Sequence, residues 1–191
     1  RLIHSSVIEQ IKWNVNSIII GGDFADRRTS LKKIEENLRL LTSVAPTYFV
    51  WGNNDIEVPR EKFLLLLTKY NVQVICNDSK LIHDGENKIR LCAIDFNGTG
   101  TMIEQSIEKC KKDEHIIFVS HDPHKFEKVL DYCTPLLLLG GHLHGGQIRL
   151  GPFGVFQRGS FRSIYSTHQL ISNGYGTTLI PLRFGAKAES H

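Results

Sequence analysis

Nothing in this sequence is long enough to cross a bilayer. Its longest apolar runs, Phe63–Leu67 and Pro135–Leu139, stop far short of the ~20 residues a spanning helix needs. A basic block is also missing: "KCKKDE", Lys109–Glu114, is cancelled by its own acids. A net charge of +3 and a pI of about 8.7 suit an anionic substrate but are too weak to argue for nucleic acid. The four cysteines form no CxxC pair, so Cys76, Cys92 and Cys133 read as small core residues rather than zinc ligands. There is no internal repeat, low-complexity segment or linker, which makes residues 1–191 one expected domain. The expected location, cytoplasmic or peripheral to the membrane, is left open by the sequence itself.

What is present is ordinary globular material, 41% hydrophobic and 23% charged, arranged as an α/β alternation. Leu2, Ile3, Val7, Ile8 and Ile11 recur at helical spacing, so the chain opens at a helix. "SIII" is the first strand, and Leu31, Ile34, Leu38 and Leu41 mark an amphipathic helix. "TYFV" follows as a strand, and Pro59 opens the next helix. "VQVI" and "KIRLCAI" read as strands, with "HDGEN" (His83 to Asn87) as a turn between two of them. Two further helix–strand pairs end in "IIFV" and "LLLL"; after Gly140 the texture turns to glycine, aromatics and short β-like pieces.

Four apolar runs each end in a polar cluster. "IIIGGDFAD" yields Asp23 and Asp26, and "YFVWGNND" yields Asn53, Asn54 and Asp55. "IIFVSHDP" yields His121 and Asp122, and "LLLLGGHLHGG" yields His142 and His144. Open α/β sheets build their sites beyond the carboxyl ends of the strands, so the four clusters together read as a metal-site constellation. Carboxylate, amide oxygen and imidazole suit Mn, Fe or Zn rather than the all-oxygen shells of Ca or Mg. His-x-His in extended chain would put both rings on one side. Taken alone, "GGDFAD" is equally a helix entry with Asp26 as the cap.

In this order the motifs resemble the calcineurin-like metallophosphoesterases, whose signature is D-x-H, G-D-x-x-D, G-N-H-D, a lone His and G-H-x-H. Here they stand as "GDFAD" (Gly22 to Asp26), "GNND" (Gly52 to Asp55), "SHDP" (Ser120 to Pro123) and "GHLH" (Gly141 to His144). The tail "GHLHGGQIRL" with "IPLRF" is similar to a bacterial branch related to UDP-2,3-diacylglucosamine pyrophosphatase and small cell-envelope phosphoesterases. The resemblance implies a β-sandwich of two mixed sheets flanked by helices, and two divalent ions, Mn, Fe or Zn. Asp23 would bridge them; Asn53, His121 and His142 would complete one, and His144 would bind the other. Asn54 and Asp55 take the catalytic places of the G-N-H-D motif.

The sequence departs from that signature twice. No D-x-H precedes "GDFAD", so one metal site is incomplete in this chain, and an absent first strand and N-terminal segment is the expected reason. The His of G-N-H-D is Asn54. An amide cannot donate a proton at neutral pH, although it can hydrogen-bond a phosphate oxygen. The implied activity is hydrolysis of phosphate esters or pyrophosphates by a metal-bound hydroxide, acting on a phosphorylated small molecule or lipid-linked phosphate. The alternative is an idle member of the family that serves as a scaffold or binding protein. His124 is the nearest substitute acid and is expected instead on the surface or in a cap; His83 and His115 should face solvent.

Overall fold

Parallel strands without a polar face need long apolar stretches covered on both sides, and the first third of the chain supplies them. The structure is a computed structural model that describes residues 2–12, 15–84, 87–150, 153–177 and 182–191, without the side chains of residues 83, 84, 87 and 150. It forms two compact units, Arg1–Ile75 and Cys76–His191.

In the first unit, α1 (Ser5–Ile11) precedes β1 (Ile18–Ile20), α2 (Leu31–Thr42), β2 (Thr47–Phe49), α3 (Arg60–Lys69) and β3 (Gln73–Val74). The strands form a parallel sheet in the order β1-β2-β3, with Ile18 beside Thr47 and Tyr48 beside Gln73. The helix-period residues of α2 are inside: Ile34, Leu38 and Leu41 are buried. Ser30 is its N-cap, with Oγ accepting from the Lys33 N–H. Asp26 therefore does not cap α2; its carboxylate is taken by Arg28 and the Thr29 hydroxyl one turn earlier. Phe49, Trp51 and Phe63 meet edge-on with centroids 5.0–5.6 Å apart, a favoured aromatic geometry. This cluster anchors the end of β2 from which Gly52–Asp55 emerges.

The second unit holds β4 (Asp78–Asp84), β5 (Asn87–Ile94), α4 (Gly100–Ile107), β6 (His115–Ser120), α5 (Phe126–Leu130), β7 (Leu137–Gly140), β8 (Arg149–Leu150), β9 (Phe153–Gly154), β10 (Ser160–Ile164) and β11 (Thr167–Ile171). Six of these strands make a mixed sheet, β10-β11-β7-β6-β5-β4, while β8 and β9 form a separate ribbon. Its core joins Cys92, Ile94, Ile103, Phe118, Phe126, Val129, Leu138 and Ile171. Cys92 is buried and lies 3.4 Å from the sulfur of Cys110, whereas Cys76 and Cys133 are only partly buried.

The strand β4 was not legible as one. It is an edge strand whose "DSK" start carries charge, as edges often do, and it pairs antiparallel with β5 from Asp78↔Ala93 to Asp84↔Asn87. The expected turn does join two strands, but β5's partner is β4, and "VQVI" belongs to the other sheet. Residues 85 and 86 of that turn, and Ile180 and Pro181 of "IPLRF", lie outside the described residues.

From the middle of β5, Arg90 grips Glu114 by two hydrogen bonds of 2.8 and 2.7 Å. The Glu114 side chain is only 2% exposed. That bidentate bond holds the Glu114 carboxyl below its ordinary range. The stabilisation is thus present above the unfolded value and lost as pH falls through the lower folded one. Arg90→Ala should cost roughly 1–3 kcal/mol by leaving the buried carboxylate with the Lys111 N–H as its remaining donor. Thermal unfolding at neutral pH would read this as a lower midpoint, and the deficit should shrink in acid.

Candidate metal centre

The loop after β1 turns sharply enough to require unusual backbone. Gly22 and Asp23 have φ of 96° and 55°, and a non-glycine residue holds that conformation only where its surroundings enforce it. The enforcing group is Asp55, which is fully buried. Its carboxylate accepts the N–H groups of Asp23 (2.8 Å), Ala25 (2.9 Å) and Gly52 (2.8 Å). Burial pushes the Asp55 pKa up to about 7; the three N–H donors pull it back, and the neighbouring Asp23 charge adds to the rise.

Asp23 is itself gripped. Asn54 donates its backbone N–H to Asp23 Oδ1 (2.8 Å) and its side-chain Nδ2 to Oδ2 (2.7 Å). Asn54 Oδ1 then accepts from Asn53 Nδ2 at 3.1 Å. That chain fixes which end of the Asn53 amide is spoken for. Its oxygen is buried and has no hydrogen-bond partner among the described residues. The two adjacent amides thus have opposite duties: Asn54 orients a carboxylate, and Asn53 presents an oxygen.

In the second unit, β6 delivers His121, 2% exposed, and the turn after β7 delivers His142. Their rings stand 5.2 Å apart at 74°. The loops are tied by the Gly141 N–H, which donates to the His121 carbonyl at 3.0 Å. Phe96 packs against both imidazoles, at 6.0 and 5.3 Å. It is held from behind by Lys125, whose Nζ donates to the carbonyls of Phe96 (2.5 Å) and Gly98 (2.8 Å). Nothing in the sequence pattern marked Phe96 or Lys125, because the contact is made between loops of different strands.

His142 and His144 both have positive φ, 62° and 47°. The His-x-His pair is therefore not extended, and His144 opens a tight turn with Gly145 instead. Arg183 clasps that turn through the His144 carbonyl at 3.1 Å. His124 stands on the surface, its side chain 74% exposed, with Nδ1 2.8 Å from Asp122 Oδ1; His115 is likewise exposed.

The model for "Calcineurin-like phosphoesterase" matches residues 4–146. The chain belongs to that family. It is 35% identical to YpbG of Bacillus subtilis over the whole chain and 75% of that protein. A metallophosphoesterase of Helicobacter pylori is 27% identical over 96% of the chain, which spans about half (52%) of that relative. Among solved structures, a Staphylococcus aureus protein described as a 5′-nucleotidase, in complex with α-ketoglutarate, superposes with a TM-score of 0.65. It is 12% identical, and the match covers 89% of this chain and 42% of that one, which speaks to fold alone.

As a calcineurin-like phosphoesterase the chain is a hydrolase of a metal-dependent class, and its residues fit a divalent ion. In the first unit the Asp23 carboxylate is held in place by Asn54, and the Asn53 oxygen is oriented without a hydrogen-bond partner among the described residues. Gly52 shows how tightly the carboxylate is placed, since a Cβ there would run into the Asp23 backbone nitrogen and Oδ1. Gly52→Ala should displace Asp23 at a cost of about 1–3 kcal/mol. Thermal unfolding with and without added Mn²⁺ would check it: the variant should melt lower and gain less from the metal than the parent.

Proposed function

We propose that this domain hydrolyses a phosphate ester or pyrophosphate, of a small molecule or of a lipid-linked phosphate, at a centre of two divalent ions. In this reading Asp23 would serve both ions, Asn53, His121 and His142 would hold one, and His144 would hold the other. The observation that carries the reading is the Asn53 amide oxygen, buried without a hydrogen-bond partner among the described residues. Such an atom costs roughly 1–3 kcal/mol unless something occupies it, and a cation is what a lone amide oxygen in the loop that grips the Asp23 carboxylate would accept.

Bound there, Mn, Fe or Zn would clamp the phosphate and lower the pKa of an attacking water. The remaining work falls to the chain. Asn54 holds Asp23 by both oxygens and can offer its amide to a phosphate oxygen, but it has no proton to give a leaving group. Asp55 acts one layer behind, fixing the Asp23 and Gly52 backbones. Substrates whose leaving group departs without protonation are therefore favoured, which means pyrophosphates and activated esters.

Elemental analysis after chelation and reloading, paired with turnover of an activated phosphodiester, tests this. Two ions per chain with restored turnover are expected. One ion per chain would overturn the two-ion centre. No turnover with Mn, Fe or Zn would overturn hydrolysis in favour of a fold used as a binding scaffold.

A further inference from the structure

The β8–β9 ribbon is amphipathic the wrong way round. Along β8, Arg149 turns inward and is only 7% exposed, its guanidinium bonding the carbonyls of Gly145 (3.2 Å) and Phe156. Gly154 lies opposite it in the register, and any Cβ there would collide with the Arg149 guanidinium. The inward face is thus cleared for an arginine. Outward stand Ile148 and Phe153, 43% and 78% exposed, followed by Val155 at 82% and Phe156 at 52%. Ile148 also bridges to Phe184, itself 58% exposed, which extends the apolar face. Folding in water ordinarily buries phenylalanine and exposes arginine. A ribbon that does the reverse faces an apolar environment.

Charge indicates which one. Between Asp131 and Glu189 there is no Asp or Glu, while Arg149, Arg158, Arg162, Arg183 and Lys187 fall in that stretch. Exposed Arg158 reaches to 3.4 Å from the Gly185 carbonyl, next to Phe184. Aromatic and aliphatic side chains with the exposed Arg158 at their edge, in a stretch of sequence free of acids, match the boundary of an anionic bilayer, where apolar groups enter and arginines stay with phosphates. A purely apolar protein partner would need no such bias.

We propose that the outward face of this ribbon, Ile148, Phe153, Val155 and Phe156 with Phe184 and Arg158, docks on anionic phospholipid. The proposal concerns where the domain sits and is independent of what it hydrolyses.

Co-sedimentation of the full chain with vesicles of phosphatidylcholine, alone or mixed with phosphatidylglycerol, is the test. Binding should appear on the mixed vesicles. It should fall at least tenfold in the double variant Phe153→Ser with Val155→Ser, and also in Arg158→Glu. Phe153 and Val155 are about four-fifths exposed, so the double variant should keep its thermal midpoint and its turnover of a soluble diester. Failure to bind mixed vesicles would overturn the proposal, as would binding that survives the double serine change. So would light scattering that shows a dimer made monomeric by that change while vesicle binding is untouched, since the face would then belong to a second copy.

Discussion

Asp23→Ala and His142→Ala should each release metal and abolish hydrolysis of an activated phosphodiester. The loss should exceed the roughly 10–100-fold that removing a mere supporting partner of a metal ligand costs. Asp23 has two parts to play. It is the proposed bridging carboxylate, and it is also the acceptor for both the N–H and the Nδ2 of Asn54. Its removal frees the Asn54 amide and with it the orientation of Asn53. For His142, the ring packs on His121 and Phe96, so its truncation also loosens the neighbouring imidazole. Asp23→Asn separates charge from shape: it keeps the volume and loses the anion. Inductively coupled plasma analysis of the purified variants, alongside turnover, reads both effects. Full turnover in either alanine variant would sink the proposed centre.

Asn54→His should act in the opposite direction, and selectively. A positioned general acid is worth ~10²–10⁴ in rate when the leaving group needs a proton. Cleavage of an alkyl phosphodiester should therefore rise far more than cleavage of a nitrophenyl ester, which needs none. The gain is bounded by geometry. Asn54 Nδ2 is the donor to Asp23 Oδ2, so an imidazole must use one nitrogen to keep that bond and offer the other to the substrate. Rates on substrates of graded leaving-group pKa would show a shallower dependence in the variant. Equal acceleration across the series would show that Asn54 does not stand in the place of a proton donor.

The alternation of helices and strands was readable because buried parallel strands announce themselves as unbroken apolar runs such as "TYFV" and "IIFV". The polar clusters at their ends were readable for the same reason, since the change of texture is abrupt. β4 escaped because an edge strand with "DSK" at its start has no such run. The grip of Asn54 on the Asp23 carboxylate escaped because it joins residues 31 apart in sequence. The shape of the His-x-His turn escaped because positive φ at His142 and His144 is imposed by the surrounding turn rather than by the residues themselves. Donor types can be read from a sequence, but which atom of each is already engaged cannot.

Asp55 carries a lesson about what a motif records. Three amide hydrogens from two separate loops converge on its two oxygens, and the ionised carboxyl serves all three as acceptor. Asparagine, nearly the same size, would turn an NH₂ toward one of them and push the loops apart. The acid at the end of "GNND" thus has a structural duty of its own, beside the catalytic place the motif implies for it. A short signature that looks like a list of reagents is, at this position, a keystone: a scan of related chains that scores it by chemistry alone would mistake the arch for the tool it holds.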